Sequence, residues 1–209
     1  MKAAPDSLAR IFSLSQQLSA SAENRIYASA RITLRMQFLK IVVLCIVAAI
    51  GYGMIHDQVT ARVCVEYFSV FHPPVFATNS PTLLGLGWGV IATWWVGLFL
   101  GVLLGIAARF GTRPKLALSS LVRPIATLLL LMAASAVVSG FTGYALAKHG
   151  VIFPPDWVAA RLDPSAHARF MADWWAHSAS YAVGLIGGLI VCALQYRKRG
   201  HDRLVQTKV

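Results

Sequence analysis

Three stretches of this chain contain no charged residue over a length that can cross a lipid bilayer. They are 26 residues from Leu83 to Ala108, 23 from Ile125 to Ala147 and 19 from Ser178 to Tyr196. A helix rises ~1.5 Å per residue, so about 20 apolar residues match a hydrocarbon core about 30 Å thick. A fourth apolar run, Phe38 to Ile55, is shorter and has Lys40 at its edge; it borrows length from the 32–37 approach. A large soluble all-helical core is the competing reading, and three separate charge-free runs of spanning length count against it. The first run lies too far from the N-terminus to read as a cleaved signal peptide.

The expected fold is therefore an all-α membrane protein. It is a four-transmembrane-helix bundle with an amphipathic N-terminal helix and a structured outer loop. The predicted divisions are a cytoplasmic N-terminal segment over 1–36, a transmembrane domain over 37–197 and a basic tail over 198–209. The predicted spans are about 37–55, 83–108, 125–147 and 176–196. In the first segment Leu8, Ile11, Phe12, Leu14 and Leu18 fall near one another at helical spacing, which suits a helix lying on the inner leaflet; a frayed tail is the alternative.

Charge sets the expected orientation. The net charge is +11, and 15 of the 19 lysines and arginines fall in the N-terminal tail, the connection between the second and third runs, or the C-terminal tail. Positive-inside topology then places both termini on the cytoplasmic side. It also accounts for the charge without nucleic acid, leaving the lipid bilayer as the first partner. The three cysteines, two of them inside spans, exclude a disulfide framework. Cys64, on the outer side, leaves dimerisation through a thiol open.

Punctuation locates several helix ends. Ser80 followed by Pro81, and Asp163 followed by Pro164, combine a capping side chain with a proline in the first helical turn. The second pair predicts that the last helix begins well outside the membrane. Pro124 is expected to start the third span and Gly150 to end it. Residues 56–65 fit an extended segment and a helix face equally, and a short helix is expected from Asp156 to Leu162.

Glycines four apart, Gly97, Gly101 and Gly105 in the second run and Gly184 and Gly188 in the last, form grooves that let another backbone approach. Packing within one chain, a homodimer and a membrane-protein partner all remain open uses. Trp94 and Trp95 fall mid-span, where tryptophan is less common. They read as bulk opposite glycine, or as the wall of a lipid, quinone or pigment pocket.

The functional suspect is one-sided. Five of six histidines, His56, His72, His149, His167 and His177, fall in or beside the outer connections. So do Asp57, Glu66 and Asp173. Imidazole and carboxylate together bind Zn, Cu, Fe or Mn. The candidate ligands are His56, Asp57, Glu66, His72, His149, Asp173 and His177, with His167 about 15 Å along the helix from His177. Bis-histidine haem ligation is a second reading. A third is an ordinary polar outer loop, since no HExxH or CxxC spacing accompanies the histidines. No nucleophile–base arrangement and no phosphate-cradling glycine loop is present, so enzymatic activity stays open. The spans show no ionisable or broken-helix feature that would suggest transport.

The segments HDQVTARVCVEYFSVFHPP and ADWWAHSASYAVGLIGG are similar to a group of uncharacterised bacterial four-span membrane proteins. The resemblance covers about residues 50–195. It implies a topology and a bacterial inner-membrane location, and nothing about ligands.

Overall fold

The computed structural model describes the backbone of residues 5–206, and the side chains of 23, 25, 28, 29 and 31–200. All regular structure among the described residues is helical. The elements are α1 (Pro5–Val63), α2 (Val65–Ser69), α3 (Pro81–Ile91), α4 (Trp94–Arg109), α5 (Ser119–Lys148), α6 (Asp156–Ala159) and α7 (His167–Gln206), with a 3-10 turn over Pro164–Ala166 before α7. Four helical segments, Arg31–Val63, Pro81–Arg109, Ser119–Lys148 and Pro164–Gly200, are long and apolar enough to cross a membrane.

The chain forms two units, residues 1–39 and 40–209. The first is helical from Pro5, and within it Thr33 Oγ1 bonds back to the Ser29 carbonyl. The side chains of Leu8, Ile11, Phe12, Leu14 and Leu18, on which the amphipathic reading rests, lie outside the described residues.

Helix ends follow the local chemistry. Ser80 Oγ accepts from the Leu83 amide, with Pro81 at the first helical position. Asp163 Oδ1 accepts from the Ser165 amide, so that cap opens the 3-10 turn and α7 begins after it. At the end of α5, Gly150 sits at φ +68, with Gly150 N–H bonded to Ala147 O and Val151 N–H to Leu146 O. That pair of bonds is the Schellman arrangement, and its positive φ suits glycine. Pro124 lies inside α5, at its sixth residue, rather than at its start. Residues 56–63 resolve as helix. The second span is interrupted at Ala92–Thr93, where Thr93 Oγ1 bonds back to Gly89 O. A break inside a span was not expected, because neither proline nor charge marks it.

Glycine sets how closely the helices meet. A Cβ on Gly89 would fall 2.5 Å from the Met54 amide nitrogen, and one on Gly97 would fall 2.7 Å from the Cys45 carbonyl oxygen. α1 and the second span therefore touch backbone to backbone. Gly101 faces Val42 and Cys45 in the same seam, Gly184 meets Met132 of α5, and Gly188 meets Leu100 of α4; Gly105 is buried on the same helix. At four of the five glycines the space is filled by the chain's own helices. Trp94 and Trp95 face outward, 46% and 54% exposed, so they are not bulk opposite these glycines.

Two apolar clusters close opposite ends. One joins Cys64, Tyr67, Phe68, Trp88, Val158 and Phe170; the other joins Ile41, Cys45, Leu104, Ala108, Leu116 and Leu121. Beside the second, Arg199 is fully buried and its guanidinium donates to four carbonyls, those of Ala107, Phe110, Arg113 and Pro114, at 2.5–3.0 Å. Ala107 belongs to the last turn of α4 and Phe110 is its C-cap, where acceptors lack helical partners and favour a cation. Arg113 reciprocates, bonding the Tyr196 carbonyl and lying 4.0 Å over the Tyr196 ring. Arg199 thus pins α7 to the loop after α4.

Arg199→Ala is expected to cost about 2 kcal/mol, since it strands buried acceptors of a charged donor. Thermal unfolding in detergent should fall by about 5 °C for Arg199→Ala and by far less for Lys198→Ala. Equal shifts would remove the clamp.

Candidate metal centre

α1 and α7 carry the site on facing turns. His56 and Asp57 lie seven and six residues before the end of α1, and His177 lies on the third turn of α7. Ligand atoms of these three residues all lie within 4.8 Å of one another. Asp57 and His177 are 5% and 8% exposed. The His56 and His177 rings meet edge to face, with centroids 4.6 Å apart.

One bond fixes the state of His177. Its Nδ1 lies 2.8 Å from the Asp173 backbone carbonyl, one turn earlier on the same helix. A carbonyl can only accept, so Nδ1 carries the hydrogen, and in a neutral ring Nε2 then presents a lone pair. That Nε2 lies 3.3 Å from Asp57 Oδ1. Two lone pairs at this distance repel unless a proton or a cation stands between them. Ligand bonds of 2.0–2.1 Å at a tetrahedral centre put ligand atoms about 3.3 Å apart, which matches. His56 Nε2 is buried with no hydrogen-bond partner, so the group also holds an unused nitrogen.

Below the triad, one helical turn deeper, the Tyr52 and Ser180 hydroxyls bond to each other. The Tyr52 ring stacks on His56 and the Tyr67 ring on His177. Neither tyrosine, nor Ser180, stands out in the sequence. The available signal was spacing, since Tyr52 is four before His56 and Ser180 three after His177.

The remaining candidates lie outside the triad. Asp173 contributes its carbonyl to His177; its carboxyl is 1% exposed and Oδ2 has no partner. Glu66 accepts from the Cys64 thiol at 3.4 Å. Cys64 is itself buried, at 1% exposure, so it is not placed to meet a second copy. Burial, and then the Asp173 charge, push its thiol up to about 12, which makes it a poor ligand or nucleophile. Burial also holds the Tyr67 hydroxyl above its ordinary range. His149 is exposed at the end of α5. His167 opens α7, its Nε2 buried and unpartnered.

His72 closes the layer from the connection after α2. Its Nδ1 bonds the Tyr67 carbonyl at 2.7 Å, its ring stacks on Phe68, and its centroid lies 4.6 Å from that of Trp88. The triad and His72 line one wall of a cavity of 140 Å³ that continues between α1, α4, α5 and α7 toward Cys45 and Cys192.

Neither a family model, nor a curated protein, nor a solved structure matches this chain.

Burial, the largest cause, lowers the His72 pKa, and the bond to the Tyr67 carbonyl partly opposes it. A histidine held neutral by the fold contributes stability above its unfolded pKa of about 6.5, and loses it as pH falls toward the folded value. Thermal unfolding between pH 7.5 and 5 should therefore weaken more steeply in the wild type than in His72→Phe, which keeps the stacking. Parallel pH profiles would contradict this.

Proposed function

We propose that this chain is a multi-pass protein of a bacterial inner membrane that binds a divalent transition metal through His56, Asp57 and His177 at its periplasmic face. The observation that carries the reading is the approach of His177 Nε2 to Asp57 Oδ1, 3.3 Å apart in a buried layer, with the Nδ1 hydrogen already given to the Asp173 carbonyl. The carbonyl of Asp173 supports it by orienting His177 as second-sphere groups orient metal-bound histidines. Membrane residence is supported by four apolar segments with apolar outer faces, among them Phe141 at 74% and Leu130 at 71% exposure. The orientation rests on the distribution of lysine and arginine.

Two imidazoles and one carboxylate leave a tetrahedral ion with an open fourth position. That set suits Zn as an activator of water, or Fe(II) as a redox centre. Either ion would lie beside the cavity, so a substrate could reach it from there. The competing arrangement is a proton shared by His177 and Asp57. It satisfies those two atoms and leaves the His56 nitrogen unused.

Elemental mass spectrometry of detergent-purified protein, loaded in turn with Zn, Cu, Fe and Mn, should find a stoichiometric ion in the wild type. The His56→Ala, His177→Ala double variant should lose it. Absence of any ion from the loaded wild type would leave the shared proton. For orientation, alkaline phosphatase fused after Gly150 should be active, and the same enzyme fused after Val209 inactive; the reverse pattern would invert the topology.

A further inference from the structure

The cavity beside the triad has a polar end and a long apolar remainder. On α1 its lining residues Cys45, Ala48, Ala49, Tyr52 and His56 recur at three- and four-residue steps, which keeps them on one face. On α7 His177, Ser180, Gly184, Gly188 and Cys192 do the same. From His177 to Cys192 the helix advances about 22 Å, so the cavity is long and narrow for its 140 Å³. His56, Asp57, His72 and His177 gather at one end, with Tyr52 and Ser180 a turn deeper. Beyond Gly184 the walls are made by Leu100, Leu104, Ile125, Leu128 and Val191.

That polarity fits an amphipathic molecule with its head at the histidines and its tail running between the helices. The head is constrained further. Asp57 is buried and, among the described residues, no lysine or arginine lines the cavity, so a phosphate or carboxylate head would lack a basic side chain to pair with. The rings of His56, Tyr67 and Phe68 surround His177 with centroids 4.6–5.7 Å away, an aromatic frame suited to a flat head. The Tyr52 hydroxyl and the unpartnered His56 nitrogen supply polar groups within reach of a carbonyl oxygen. A glycerol head offers no flat face to stack on these rings.

We propose that this cavity binds an isoprenoid quinone, with the ring at the His56–His177 layer and the prenyl tail directed toward Cys45 and Cys192. The site shares His56 and His177 with the metal proposal but does not need the ion.

The test uses full-length protein stripped of lipid and treated with chelator, titrated with decylubiquinone. Quenching of tryptophan fluorescence reports binding, because Trp88 lines the cavity. Saturable quenching is expected, with affinity weakened at least about tenfold by Ala48→Phe and by Val191→Phe, which fill the tail region from two helices. Val47→Phe, at an exposed position outside the lining, should bind as the wild type does. Circular dichroism and gel filtration of each variant identify any that fail to fold, and either filled variant suffices. Saturation absent in the wild type, equal affinity in a folded filled variant, or tighter binding of decanoate than of the quinone would overturn the proposal. Metal content of the same samples is read separately, so quinone binding without an ion, or an ion without quinone binding, tells the two proposals apart.

Discussion

Burying the Asp57 carboxylate in a layer without lysine or arginine is the constraint around which the rest is arranged. A charge in such a place is tolerated only with a close partner, and His177 Nε2, 3.3 Å away on a different helix, is placed to share a proton or a cation with it. For that contact to exist, α1 and α7 must present matching turns at one depth. His177 must also be turned the right way, which the Asp173 carbonyl achieves. The covering segment after α1 then shields the pair from water through Tyr67, Phe68 and His72.

The helices are held at their ends and meet through glycine between them. At one end Phe68, Trp88 and Phe170 fill the space under the connections; at the other, Arg199 gathers four carbonyls while Ile41, Leu104 and Leu121 pack beside it. Small residues on α1, α3 and α4 permit close contact along their seam, where a Cβ on Gly89 or Gly97 would collide with backbone, while the glycines of α7 meet side chains. The same small residues face the cavity at Ala48, Ala49, Gly184 and Gly188. Glycine therefore serves close approach to backbone at Gly89 and Gly97, and contact with the Met132 side chain at Gly184. The interruption at Ala92–Thr93 lies on the cavity wall as well, at a point where an unbroken helix would continue past Gly53.

Legibility differed from residue to residue. The charge-free runs, the caps at Ser80 and Asp163 and the glycine stop at Gly150 depend on neighbours in the chain, and all can be read there. Arg199 reads as one more basic residue of a tail, because its acceptors lie more than 80 positions earlier. The histidines were visible as a one-sided group of candidates. Their division into His56 and His177 beside Asp57, with Glu66 turned to Cys64 and His149 left exposed, depends on helix rotation, which hydropathy and composition do not specify. Tyr52 inside an apolar run, and Ser180 near His177, are single hydroxyls that look incidental until the partner of each is known.

By itself the sequence determined that four segments are helical and apolar enough to cross a membrane, that caps lie at Ser80 and Asp163 and a glycine stop at Gly150, and that histidine and carboxylate collect near one end. These are properties of segment length, capping chemistry and charge, all local along the chain. The tertiary structure decided which imidazoles share a carboxylate, which tautomer His177 adopts, that Arg199 clamps a distant loop, and that a cavity remains between the helices. Those outcomes depend on the rotation and separation of helices packed through glycine and alanine, where about one side chain's width decides between contact and open space.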